Sequence, residues 1–230
     1  MTTANSLVWR NPDAVSIPQV LREACARWAN RPFVDVDGDV LGFAELEAAA
    51  NRLSHGLTAI GVRRGDTVSC MLDTSLDFVT LWFAVVQIGA VLAPLNTAFR
   101  GEFLRHQITD SAARLVICET HYAERVVAIE AQLPEVARLI HRGPAPQLQT
   151  GFELLGFDTL PSDDASPPAV DVRPGDLACL IYTSGTTGPS KGCMLCHNAP
   201  VQNGVPALRA QGISDAEALW MSLPLFHMAA

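Results

Sequence analysis

Between residues 67 and 140 short apolar runs alternate with longer segments of helical period, and this alternation restricts the fold more than any other feature. The runs at 67–72, 90–93, 115–118 and 138–140 read as strands, and the segments at 76–88, 102–109 and 123–132 read as helices. Strands separated by helices connect by right-handed crossovers, which make neighbouring strands parallel. The predicted fold class is therefore α/β, a mostly parallel sheet flanked by helices.

Upstream, Ser16 and Gln19 have the spacing of a capping box, with Pro18 in the first helical turn. Ile17, Leu21, Ala24 and Trp28 then share one helical face. Asp37-Gly38 between apolar runs at 33–36 and 40–43 predicts a hairpin, because the pair tolerates the positive φ of a tight turn. Leu46, Ala49, Ala50, Leu53, Leu57 and Ile60 mark a further helix stopped at Gly61. Polar and proline-rich breaks follow at 142–149 and 158–176. They suggest a first α/β subdomain over 1–157, a linker or long loop over 158–176, and a segment over 177–230 that opens on the apolar strand 177–182.

Composition narrows the function. With 49% hydrophobic residues, 17% charged residues and a formal net charge of −8, the chain is core-rich and lacks the basic excess that nucleic-acid binding needs. The first ten residues have no basic stretch leading into an apolar core, so no signal peptide is read. The longest apolar run, 78–95, is broken by Thr80, Gln87, Gly89 and Pro94 and fits a buried helix entering a buried strand better than a membrane span. Six cysteines without an export signal predict free thiols and a cytoplasmic setting.

Directly after strand 177–182 comes Thr183-Ser184-Gly185-Thr186-Thr187-Gly188-Pro189-Ser190-Lys191-Gly192. Glycines at 185, 188 and 192 let backbone N–H groups approach a ligand closely, and hydroxyls at 183, 184, 186 and 187 add donors. Lys191 adds a point charge of the kind used on phosphate. Read as a loop between a strand and a helix, this is an anion nest. The plain alternative is a glycine-rich surface loop. A Walker A loop is rejected, because Ser190 precedes Lys191 and Gly192 follows it.

The stretch 182–192 is similar to the signature loop of the adenylate-forming superfamily, which includes acyl-CoA synthetases, luciferases and the adenylation domains of peptide synthetases. Phe43-Ala44-Glu45-Leu46 with Asn51 and Leu53, Ile88-Gly89-Ala90-Val91 with Pro94-Leu95-Asn96, and Leu223-Pro224-Leu225-Phe226-His227 resemble further landmarks. The wording of 94–101 is most like synthetases for carnitine-type or medium to long acyl groups. The resemblance implies the N-terminal part of an AMP-binding domain, with the C-terminal domain and its catalytic lysine missing. It implies a two-step ligation in which a carboxylate attacks the α-phosphate of Mg-ATP, and coenzyme A then displaces AMP. By the same resemblance Thr183, Ser184, Gly185, Thr186, Thr187, Gly188 and Lys191 hold the β- and γ-phosphates, His227 lies near the reacting carboxylate, and no residue is assigned to a metal. Magnesium, ATP, coenzyme A and a small carboxylic acid are the implied ligands. The chain alone is expected to be incomplete for catalysis, so a partner chain supplying the missing half is one expectation. A noncatalytic nucleotide-binding or regulatory remnant is the rival from another class.

Two local features are separate from this. Cys193-x-x-Cys196-His197 fits haem-attachment and redox spacings, but the related sequences carry a helix start there, and the two cysteines read as neutral substitutions in it. Asn203-Gly204-Val205-Pro206 is expected to end or bend the helix that follows, since an interior proline costs about 3 kcal/mol.

Overall fold

The computed structural model describes residues 14–183, 189–214 and 217–227. Strands β3 (Thr67–Met71), β4 (Val91–Pro94), β5 (Leu115–Glu119), β6 (Arg138–Arg142), β7 (Glu153–Gly156), β8 (Leu177–Tyr182) and β9 (Gly192–Cys196) form one sheet in the order β7-β6-β5-β3-β4-β8-β9. Every neighbouring pair is parallel except β8 and β9, which are antiparallel. The α/β expectation is met.

A separate two-stranded hairpin, β1 (Pro32–Val36) and β2 (Asp39–Gly42), turns at Asp37 and Gly38 with φ of 55° and 93°. Helix α1 (Ile17–Trp28) starts where predicted, but Ser16 makes no side-chain cap, and the Gln19 amide instead donates to Glu23 at 3.0 Å. An (i, i+4) contact is available to Gln19 on the helix face and competes with reaching back to the cap. Helix α2 (Phe43–Ala59) opens with Glu45 accepting from the Gly42 N–H at 2.8 Å. Helix α3 (Leu76–Gln87) is capped by Ser75, whose hydroxyl accepts from the Phe78 N–H at 3.2 Å.

Helices α2 and α3 cover one face of the sheet. Leu53, Leu57, Phe78, Leu81 and Val85 pack there onto Val68, Leu92 and Ile117. Helix α4 (Gly101–Asp110) covers the other, with Leu104 and Ile108 against Val116 and Leu139. Strands β3, β4 and β5 are buried along almost their whole length, as strands covered on both faces must be.

Four expectations need correction. Helix 123–132 shortens to α5 (Ala123–Val127) followed by a 3₁₀ turn at Glu130–Gln132, where Thr150 and the Gly151 N–H both bond to the Glu130 carboxylate. Strand β7 lies in the stretch between the two predicted breaks and has no alternation strong enough to reveal it. Helix α6 (Ala199–Ala210) runs through Pro206, so of the two expected outcomes, an end or a bend, the end is excluded. The largest correction is that the chain returns from the glycine-rich loop as strand β9, so the loop joins two antiparallel strands rather than a strand and a helix. Residues 160–176 form a long irregular segment laid across α2: the Ser162 N–H donates to the Arg52 carbonyl at 3.0 Å, and the Asn51 amide donates to the Ala165 carbonyl at 2.8 Å.

Candidate active site

The β8–β9 ladder pairs Tyr182 with Gly192 and Ile181 with Cys193, so the two stems of the loop leave the sheet side by side. The pairing continues one step further, where the Thr183 N–H donates to the Lys191 carbonyl at 3.1 Å. β8 is parallel to β4, and the loop therefore emerges at the carboxyl ends of the central strands, the edge at which open α/β sheets bind ligands. Gly192 lies against the Tyr182 ring, and a Cβ there would approach its Cζ to 3.3 Å. Lys191 is exposed, and its ammonium has no bond among the described residues. Of the predicted phosphate-holding residues, Thr183 and Lys191 are thus brought together at the loop's mouth. Ser184, Gly185, Thr186, Thr187 and Gly188 lie outside the described residues.

Three residues that the sequence reading passed over hold the stems. Tyr182 Oη donates to Asp110 Oδ2 at 2.9 Å, His106 Nε2 meets the Ser190 carbonyl at 2.7 Å, and Gln107 Nε2 donates to Ser190 Oγ at 3.4 Å. Burial first, and the Asp110 carboxylate second, raise the Tyr182 hydroxyl above its ordinary pKa, so it is a firm donor at neutral pH. Nothing in local sequence pairs α4 with a loop about eighty residues away.

His227 lies in the segment after α6. Its N–H donates to the Pro224 carbonyl at 2.9 Å, and its side chain lies at the rim of an apolar cavity of about 860 Å³. Ile181, Leu195 and Cys196 of the loop-bearing hairpin form one wall, Trp82 and Phe83 of α3 another. No acidic side chain lines it among the described residues.

The C-x-x-C-H stretch lies on β9 and its exit, not on a helix. An offset of three along a strand turns Cys193 and Cys196 to opposite faces, so they cannot share one ligand. All six cysteines are free. Burial pushes the Cys118 and Cys179 thiols up to about 12, which leaves them unreactive. Among the described residues no group of three His, Cys, Asp or Glu side chains could hold a metal ion, and no helix is long and apolar enough to cross a membrane.

Comparison with known proteins agrees with this geometry. The family described as AMP-binding enzyme matches residues 21–230. A feruloyl-CoA synthase from Amycolatopsis sp is 36% identical over 193 residues, covering 84% of this chain and 36% of the relative. The long-chain-fatty-acid–CoA ligase FadD13 of Mycobacterium tuberculosis is 30% identical over 203 residues, covering 86% of this chain and 38% of the relative. The crystal structure of the N-terminal domain of FACL13 from Mycobacterium tuberculosis superimposes with a TM-score of 0.72 at 25% identity, covering 92% of this chain and 52% of that one. The chain thus spans well under half the length of these two curated relatives.

Proposed function

The chain belongs to the AMP-binding enzyme family, and on that premise we propose that it forms the phosphate-holding part of an ATP-dependent acid–thiol ligase. In the proposed reaction a carboxylate oxygen attacks the α-phosphorus of ATP and pyrophosphate leaves. The thiol of coenzyme A then attacks the acyl carbon, and the bond to AMP breaks. The observation that carries the reading is the hairpin: two paired strands present a glycine- and hydroxyl-rich loop with Thr183 at one stem and Lys191 at the other. Backbone N–H groups and an ammonium carried on paired stems would stabilise charge building on phosphoryl oxygens if they are preorganised toward it. Magnesium, when bound, neutralises phosphate oxygens.

His227 and the apolar cavity it rims support a carboxylic acid with an apolar body, aliphatic or aryl, as substrate. The domain reading we keep is a partial N-terminal AMP-binding domain, with 1–157, 158–176 and 177–230 as its successive parts. A reducing compartment such as the cytoplasm belongs to the proposal, supported by six free thiols, four of them buried.

Calorimetry with Mg-ATP tests the reading. The native chain is expected to bind and Lys191→Ala to bind at least tenfold more weakly. Equal binding by the two would overturn it. Thioester formation with coenzyme A then separates a working ligase from the second reading, a nucleotide-binding remnant without chemistry.

A further inference from the structure

Helix α4 carries no residue of the proposed phosphate loop, yet it touches both of that loop's stems. His106, Gln107 and Asp110 fall within an arc of about 100° on the helix. Asp110 holds the outgoing stem through the Tyr182 hydroxyl at 2.9 Å. His106 holds the returning stem through the Ser190 carbonyl at 2.7 Å, and Gln107 reaches the Ser190 hydroxyl at 3.4 Å. A carbonyl can only accept, so the proton of His106 resides on Nε2. Gln107 is 2% exposed, and its oxygen also accepts from the Asn96 N–H just after β4, at 3.4 Å. The bonds therefore run from the turn after β4 through the buried Gln107 and its neighbours on α4 to both sides of the loop.

We propose that the His106–Gln107–Asp110 face of α4 is a clamp of positioning residues that sets the spacing of the two loop stems and so preorganises the loop for a polyphosphate. The proposal rests on the reading of residues 183–191 as a nucleotide-phosphate loop. Its physical basis is the cost of ordering. A loop that must aim several N–H groups at one anion loses affinity if binding has to supply its order, and a clamp removes that cost beforehand. What Asp110 contributes to the clamp is its oxygen as a hydrogen-bond acceptor for the Tyr182 hydroxyl.

The test compares the native chain with Asp110→Ala, Asp110→Asn, His106→Ala and Lys191→Ala. Two readouts are taken, Mg-ATP affinity by calorimetry and amide hydrogen exchange of peptides spanning 183–192 without nucleotide. Asp110→Ala and His106→Ala are expected to weaken Mg-ATP about five- to twentyfold and to speed exchange in that stretch, at little cost in melting temperature. Asp110→Asn keeps an acceptor for the Tyr182 hydroxyl and is expected to match the native chain in both readouts. The clamp is refuted if Asp110→Ala leaves affinity and exchange unchanged, or if Asp110→Asn behaves like Asp110→Ala. If the native chain binds no Mg-ATP, the nucleotide reading fails, and exchange alone still decides whether α4 holds the stems.

Discussion

The backbone of Gly56 in helix α2 lies directly against the carbonyl of Leu160, so closely that a methyl group at position 56 would overlap it. The contact seats the 160–176 segment on α2, where the Asn51 amide, the Arg52 carbonyl and His55 also bond to it.

Gly56→Ala would raise intrinsic helix propensity by about 1 kcal/mol, yet it is expected to destabilise the chain. The obstacle is main chain and cannot rotate away, so overpacking should cost about 2–3 kcal/mol net. Urea denaturation of the two proteins reads this directly, and a more stable variant would show that the segment is not seated as described.

His197 is completely buried, and neither ring nitrogen finds a partner among the described residues. Burial pulls its pKa down to about 4 from an ordinary 6.5; Asp176 pushes it back up, while Arg64 pulls it further down. Its neutral form is the native one, so the unfolded chain takes up a proton first on acidification. The stabilisation is present in full above pH 6.5 and is lost as pH falls from there toward 4. The loss should reach on the order of 2–3 kcal/mol. Denaturation midpoints between pH 7 and 4 should fall for the native chain and flatten in His197→Leu.

Arg142 bonds to Asp77 at 2.6 Å and to both Glu119 oxygens at 3.1 and 3.2 Å, at the carboxyl ends of β5 and β6. The Glu119 side chain is only 7% exposed. Arg142→Ala strands that carboxylate and is expected to cost about 3 kcal/mol. The double variant Arg142→Ala with Glu119→Gln should recover part of the loss, since the unpaired charge is then gone. A double-mutant cycle measured by thermal melting checks the coupling, and strict additivity would count against the pair.

Among the described residues β9 is an edge strand, and Met194 stands 72% exposed on it. Apolar edges invite strand-to-strand association, and lysine blunts them. Met194→Lys is expected to reduce concentration-dependent self-association in sedimentation velocity while leaving the melting temperature unchanged. No change in association would place the contact surface elsewhere.

Period and turn chemistry were enough to reveal the parallel α/β layers from β3 to β6, because buried strands and amphipathic helices write their burial into local residue order. The β1–β2 hairpin was legible for the same reason, as Asp37 and Gly38 do take up positive φ. The glycine-hydroxyl run beginning at Thr183 was visible as chemistry, since phosphate binding needs those residue types side by side. What followed the loop was not. Residues 192–196 carry apolar side chains that suit a strand or a helix, and only the ladder with 177–182 selects a strand. Pro206 lies within a helix that local rules would end, and β7 exists because β6 offers it a partner edge. The contacts of His106, Gln107 and Asp110 with Ser190 and Tyr182 join residues more than seventy positions apart. Sequence alone determines what is encoded within a few residues, the periods, turns and loop chemistry, whereas pairings across the chain depend on which surfaces the packed sheet brings within bonding distance, and only the tertiary structure decides those.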